Sequence, residues 1–106
     1  MIYQEVVVGV ARGKMNEYLD IVGKELLPIY QRLGIKMAGS FRTMMGGNSN
    51  EVIVLFAFEN MAQMEKLQDD RNKDKEWQKV YPKYQAVTTG TMASRILQPN
   101  SYSELK

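Results

Sequence analysis

Seven side chains in this sequence could act on a small molecule: Glu5, Ser40, Arg42 and Arg95 in stretches of strand character, and Trp77, Tyr81 and Tyr84 at helical spacing. An arginine presents a planar fork that suits two oxygens, so an Arg95 oriented by Glu5 would hold a carboxylate or carbonyl ligand. The aromatic trio, with Tyr81 and Tyr84 four and seven residues after Trp77, would offer a stacking wall to a planar one. The chain has no histidine and no cysteine. That removes zinc sites, the 2-His-1-carboxylate iron site, Ser-His-Asp and Cys-His nucleophiles, disulfides and His-ligated haem. Neither a metal site nor a cofactor is expected, although carboxylates leave an oxygen-ligated magnesium or calcium ion open. Acid and base work falls to Asp, Glu, Lys and Tyr.

Each of these groups also has a plainer role. Glu5 and Arg95 could form a structural ion pair, and Trp77, Tyr81 and Tyr84 could be the packed face of an amphipathic helix. If the pair is functional, Glu5→Gln should abolish ligand binding and leave dimerisation intact. Of the eight methionines, Met37, Met44, Met45, Met61, Met64 and Met92 could line an adaptable apolar pocket or fill gaps in a core. Arg71, Lys73, Lys75, Lys79 and Lys83 alternate with Asp69, Asp70, Asp74 and Glu76, which reads as a solvated, self-paired surface rather than a nucleic-acid face. The whole-chain balance agrees: 14 basic and 12 acidic residues leave a charge of +2, too little to draw nucleic acid or an anionic membrane.

The elements that must position these groups are organised around Glu51-Val52-Ile53-Val54-Leu55-Phe56-Ala57-Phe58-Glu59, seven apolar residues between two carboxylates. Alternation sends Val52, Val54, Phe56 and Phe58 to one face of a strand and Ile53, Leu55 and Ala57 to the other, so both faces must be dry. Helices can cover one. In a chain of 106 residues, enough for one domain, the other cover is expected to be a second copy.

The remaining elements follow from periodicity. Ile2 to Val10 alternates as a strand, with Val6, Val8 and Val10 under the helices and Glu5 on the opposite, pocket side. Apolar residues from Met15 to Leu33 recur as a helical stripe, with a kink or break expected between Glu25 and Pro28 and a left-handed cap at Gly34. A second strand is expected over Ile35 to Met45, with Ser40 and Arg42 on the parity of Glu5 and with Gly39 marking a bulge or a close backbone approach. The Gly46-to-Asn50 loop turns it into the central strand as a hairpin. Asn60 and Gln63 form a capping box before a helix through Met61, Met64 and Leu67. Helical spacing resumes at Trp77 and is limited by Pro82, and a final strand runs from about Val87 to Leu97. A polar tail follows, in which Tyr102 and Leu105 could dock on a neighbour. No apolar run is long enough to span a bilayer and the start lacks signal-peptide features, so a cytoplasmic location is expected. The order is βαββαβ, a single α+β ferredoxin-like domain over residues 1–106 with an antiparallel sheet whose first and third strands are central.

Several stretches in sequence resemble the NIPSNAP family of dimeric α+β barrels. They are Glu25-Leu26-Leu27-Pro28 followed by Gly34, Gly39 and Phe41; Asn50-Glu51-Val52; Arg71 with Asp74-Lys75-Glu76-Trp77-Gln78; and Ser94-Arg95-Ile96-Leu97-Gln98-Pro99. The resemblance implies two ferredoxin-like protomers packed sheet to sheet, with helices outside. It also exposes a departure, because such members carry an Arg-x-Tyr pair after a Glu where this chain carries Val6 and Val8 or, with the one-residue shift that puts Glu5 on the pocket side, Val7 and Gly9. Two functions are compatible with these features. One is a homodimer enclosing an apolar inter-sheet pocket for a small apolar or carboxylate-bearing ligand, with metal- and haem-free monooxygenase-like turnover as an extension of it. The other is a non-catalytic interaction module. Bound small molecules would favour the first; a pocket packed solid would favour the second.

Overall fold

The structure is a computed structural model describing residues 1–106. Its elements are β1 (Ile2–Val10), α1 (Met15–Ile21), a π-helical segment (Val22–Leu26), α2 (Leu27–Leu33), β2 (Lys36–Arg42), β3 (Glu51–Phe58), α3 (Met61–Lys73), α4 (Lys75–Val87) and β4 (Thr88–Leu97). The four strands form one antiparallel sheet in the order β2-β3-β1-β4, so the two valine-rich strands are central. This is the ferredoxin-like arrangement, with α3 and α4 together serving as its second helical unit.

All helices lie on one face of the sheet. Val8, Val10, Val52 and Val54 are buried there against Tyr18 and Val87, while Phe58 packs with Ile35, Met64 and Leu67. A second row of contacts joins Leu26, Ile29 and Val80 between the helices. The molecule measures 40 × 38 × 19 Å. Its thin dimension holds one sheet and one helix layer, leaving the other sheet face without a helical cover. That bare face carries Val7, Ile53 and Leu55, with Phe41 and Met92 more than half exposed. Only one end of it is covered: the Tyr3 hydroxyl donates to the Lys106 carbonyl at 2.5 Å, so the tail buries Tyr3 to 4% exposure. Tyr102 and Leu105 in that tail stay exposed.

Local chemistry explains the element boundaries. Gly34 takes the left-handed conformation, φ 83°, and the Gly34 and Ile35 amides donate to the Gln31 and Tyr30 carbonyls, closing α2 with a Schellman motif. Asn60 caps α3 by accepting from the Gln63 amide at 2.9 Å, and the Gln63 side chain reaches back to the Glu59 amide at 2.7 Å. The kink or break expected between Glu25 and Pro28 is met by a π-helical irregularity just before the proline, with no interruption of the helix. The Leu27 amide instead bonds the Val22 carbonyl, and this five-residue π turn absorbs the absence of a proline N–H without interrupting the helix. Pro82 likewise does not limit α4, which runs through it to Val87. The second strand stops at Arg42, shorter than its apolar pattern suggests, because residues 43–50 leave the sheet to turn through Gly46 and Gly47, both at positive φ.

Candidate ligand site between the helices and the sheet

A cavity of about 460 Å³ lies beneath the helices, within the size range of small-molecule sites. Its floor is Val6 and Val8 of β1 with Val54 and Phe56 of β3, and its first wall is Tyr18, Val22, Leu26 and Tyr30. Trp77, Tyr81 and Tyr84 form the second wall, because four- and three-residue steps put all three on one side of α4. Around the remaining side stand Gln68, Arg71 and Asn72 of α3, Gln4 of β1, and Thr91 and Ser94 of β4.

The aromatic wall is continuous. Trp77 stacks on Tyr81 at 4.4 Å between centroids, Tyr81 on Tyr84 at 5.7 Å, and Tyr84 meets Tyr18 at 5.7 Å. Tyr30 closes the corner edge-on to Phe56 at 5.5 Å. The wall is anchored at Asp74, whose carboxylate accepts from the Trp77 backbone amide and from Arg32 Nη2, both at 2.9 Å. The Trp77 amide, ahead of Arg32, lowers the Asp74 pKa, so this cap stays charged and ties the start of α4 to α2. The Arg71 guanidinium lies 5.1 Å from the Trp77 ring centre in a cation–π contact.

Electrostatically the cavity has one sign. Arg71 is its single ionised side chain; no Asp, Glu or Lys lines it. Burial pushes Tyr18 up to about 12, against a small opposing effect of the Tyr84 hydroxyl. Burial also raises Tyr84, reinforced by Tyr18 and Tyr30, and raises Tyr30 against the pull of Arg71. All three phenols are therefore protonated at neutral pH, and none is a base there. The Trp77 indole N–H is buried with no hydrogen-bond partner; it stands near enough to stabilise an ionised Tyr30 without meeting hydrogen-bond geometry. At the β1 side, Gln68 Nε2 donates to the side-chain oxygen Oε1 of Gln4 at 3.1 Å, and Gln4 Nε2 donates to the Ser94 hydroxyl at 3.4 Å.

The seven residues singled out in the sequence fall in three places. Trp77, Tyr81 and Tyr84 line the cavity. Glu5 and Arg95 are paired, Arg95 Nε donating to Glu5 Oε1 at 2.9 Å, but they are cross-strand neighbours on the bare face, on the far side of the sheet from the cavity. Ser40 and Arg42 are with neither group. They register opposite Val54 and Val52, on the helix-facing parity, and stand exposed on the edge strand. A slip in the register between Met37 and Gly39 reverses the parity expected for them. Tyr18, Tyr30, Gln4 and Gln68 were hidden in the sequence among ordinary stripe and strand positions. Arg71 was hidden in a run of surface charges, its one signal being its place six residues before Trp77. No cluster of three or more carboxylates that could hold a metal ion is present, and no helix is long and apolar enough to cross a membrane.

The NIPSNAP family profile matches residues 3–104, nearly the entire chain. The chain belongs to the NIPSNAP family. Among solved structures, a NIPSNAP family protein from Agrobacterium tumefaciens is 27% identical with a TM-score of 0.91, covering 99% of this chain and 98% of that one. A second from the same organism, described as having unknown function, is 23% identical with a TM-score of 0.91 over 100% of this chain and 94% of its own. A candidate antibiotic biosynthesis monooxygenase from Nitrosomonas europaea shares the fold at 7% identity, TM-score 0.65, covering 96% of this NIPSNAP chain and 100% of that one. A search among curated proteins gives no significant match.

Proposed function

We propose that this NIPSNAP protein is a homodimer, joined through the bare sheet face, in which each protomer binds a small planar organic molecule in the cavity beneath its helices. The cavity itself carries the reading. A half-open cavity of about 460 Å³, lined on two sides by aromatic rings and mostly apolar, has the size and make-up of a small-molecule site. On this reading the ligand sits under the helices and not between two sheets, which leaves the bare face for pairing. Val7, Ile53 and Leu55 are already part-covered by their neighbours, so each would gain only a fraction of the about 1.5–3 kcal/mol that full burial of an exposed large side chain brings, with Phe41 and Met92 gaining more. Glu5 and Arg95, already paired there, would enter the interface as a neutralised unit.

Binding is favoured over turnover because no cavity group is basic at neutral pH. Metal- and haem-free oxygenation is the second reading, supported by fold likeness to the candidate monooxygenase alone. It requires a substrate acidic enough to ionise unaided. Native mass spectrometry of freshly purified protein tests the proposal: a dimer carrying one organic molecule per protomer is expected. A monomer, or a dimer free of small molecules that also takes up no aromatic compound at millimolar concentration, would replace it with a non-catalytic interaction module. Oxygen consumption stoichiometric with loss of an added acidic phenol would move the assignment to the oxygenase.

A further inference from the structure

We propose that the cavity selects a planar aromatic anion, its carboxylate held by Arg71 and its ring lodged along the edge of the Trp77–Tyr81–Tyr84 wall; this rests on reading the cavity as a ligand site. The first support is the unmatched charge. At this end of the molecule Arg32 takes both available carboxylates, Asp74 at 2.9 Å and Glu76 at 3.4 Å. Arg71 is left with a neutral acceptor, the Asn72 side-chain oxygen, at 3.4 Å from Nε and 3.1 Å from Nη2. A guanidinium facing a half-enclosed cavity without a counter-ion is a ready partner for a bidentate oxyanion.

The second support is the surplus of donors. Protonated Tyr30, the partnerless Trp77 N–H and Arg71 meet at one corner, and the cavity supplies no carboxylate to receive them. A buried unpaired donor is unfavourable, and a ligand rich in acceptors relieves it. The third is the competition for the aromatic face. Walls of Trp and Tyr often attract cations, but here the protein's own Arg71 already occupies the cation position over Trp77, which turns the preference toward anions. A single positive charge calls for a monoanion, and a wall of adjoining ring edges for an aromatic body that can meet them edge to face.

The test uses three ligands of one shape: 2-naphthoate, 2-naphthamide and 2-naphthylmethylammonium, titrated calorimetrically into the full-length protein. Trp77 is the sole tryptophan, so its single indole cross-peak in a nitrogen-15 correlation spectrum reports whether binding occurs at this wall. The expected result is naphthoate at least tenfold tighter than the amide, equivalent to about 1.4 kcal/mol, with the ammonium weakest. The advantage should shrink between 20 mM and 500 mM salt, as a half-exposed charge requires. In Arg71→Gln the naphthoate advantage should fall below threefold, the amide losing less affinity than the naphthoate, and Arg71→Lys should restore part of it. Amide or ammonium binding as tight as naphthoate, or a tenfold preference surviving in a folded Arg71→Gln, overturns the anion assignment and leaves the cavity reading standing. If none of the three moves the indole cross-peak, the cavity reading fails and the anion assignment with it.

Discussion

Replacing Tyr18 with Phe should make the protein more resistant to alkali, and the size of the effect follows from where the hydroxyl sits. Tyr18 is 2% exposed in the core and its phenol holds its proton to about 12, against an ordinary value of 10.0. In the unfolded chain the proton leaves near the ordinary value. Between the two the unfolded state binds fewer protons than the native one, so stability falls as pH rises. The contribution is whole below about pH 10, reduced by roughly 1.4 kcal/mol at pH 11, and lost by about pH 12, where the total is on the order of 2–3 kcal/mol. The Phe variant lacks this term. Urea unfolding followed by circular dichroism at pH 8, 9, 10 and 11 should therefore give curves that diverge only above pH 9, with the wild type losing more. Tyrosinate absorbance of the native protein should rise in two stages, the second belonging to the buried phenols. Parallel pH curves for the two proteins would refute the reasoning. So would six tyrosines titrating together near 10, and the conclusion that the cavity lacks a base would need re-examination.

Four further outcomes are expected. Leu55→Asp on the bare face should give a monomer by sedimentation velocity with its helical spectrum unchanged; a dimer at low micromolar concentration would remove the proposed interface. Glu5→Gln should weaken pairing of protomers and leave naphthoate affinity unchanged, because the sheet separates this residue from the cavity; a loss of ligand binding with the dimer intact would reverse that assignment. Asn60→Ala should cost about 1 kcal/mol in urea unfolding through loss of the α3 cap, with no change in ligand affinity. Gly34→Ala forces a side chain into φ 83° and should cost about 1–2 kcal/mol, although no atom obstructs the new methyl group; an unaffected melting midpoint would contradict it.

Much of the architecture was legible because its signals are local. The apolar run of β3, the Gly34 cap and the Asn60–Gln63 box each act within a few residues, and the strand order followed from which stretches were dry on both faces. Pro82 misled for a physical reason, and Pro28 interrupts nothing for the same one: a proline deletes one hydrogen bond, and a helix held by tertiary packing tolerates that, in the second case by widening to a π turn. The candidate site was legible in part. Trp77, Tyr81 and Tyr84 share a helix face and so announced themselves together, whereas parity along a strand survives only until a bulge. One extra residue near Ala38 was enough to move Ser40 and Arg42 to the other face. Arg71 could not be separated from Lys73 and Lys75 by composition, since its role depends on Arg32 having claimed Asp74 and Glu76 from a different helix.

The sheet is a single layer of backbone, and in β1 and β3 that layer works as a party wall. Val6 and Val54 look into the cavity, while Glu5, Val7, Ile53 and Leu55 on the same strands look out the other side. A substitution can therefore be aimed at one room and leave the other untouched, because neighbouring residues of one strand answer to opposite sides.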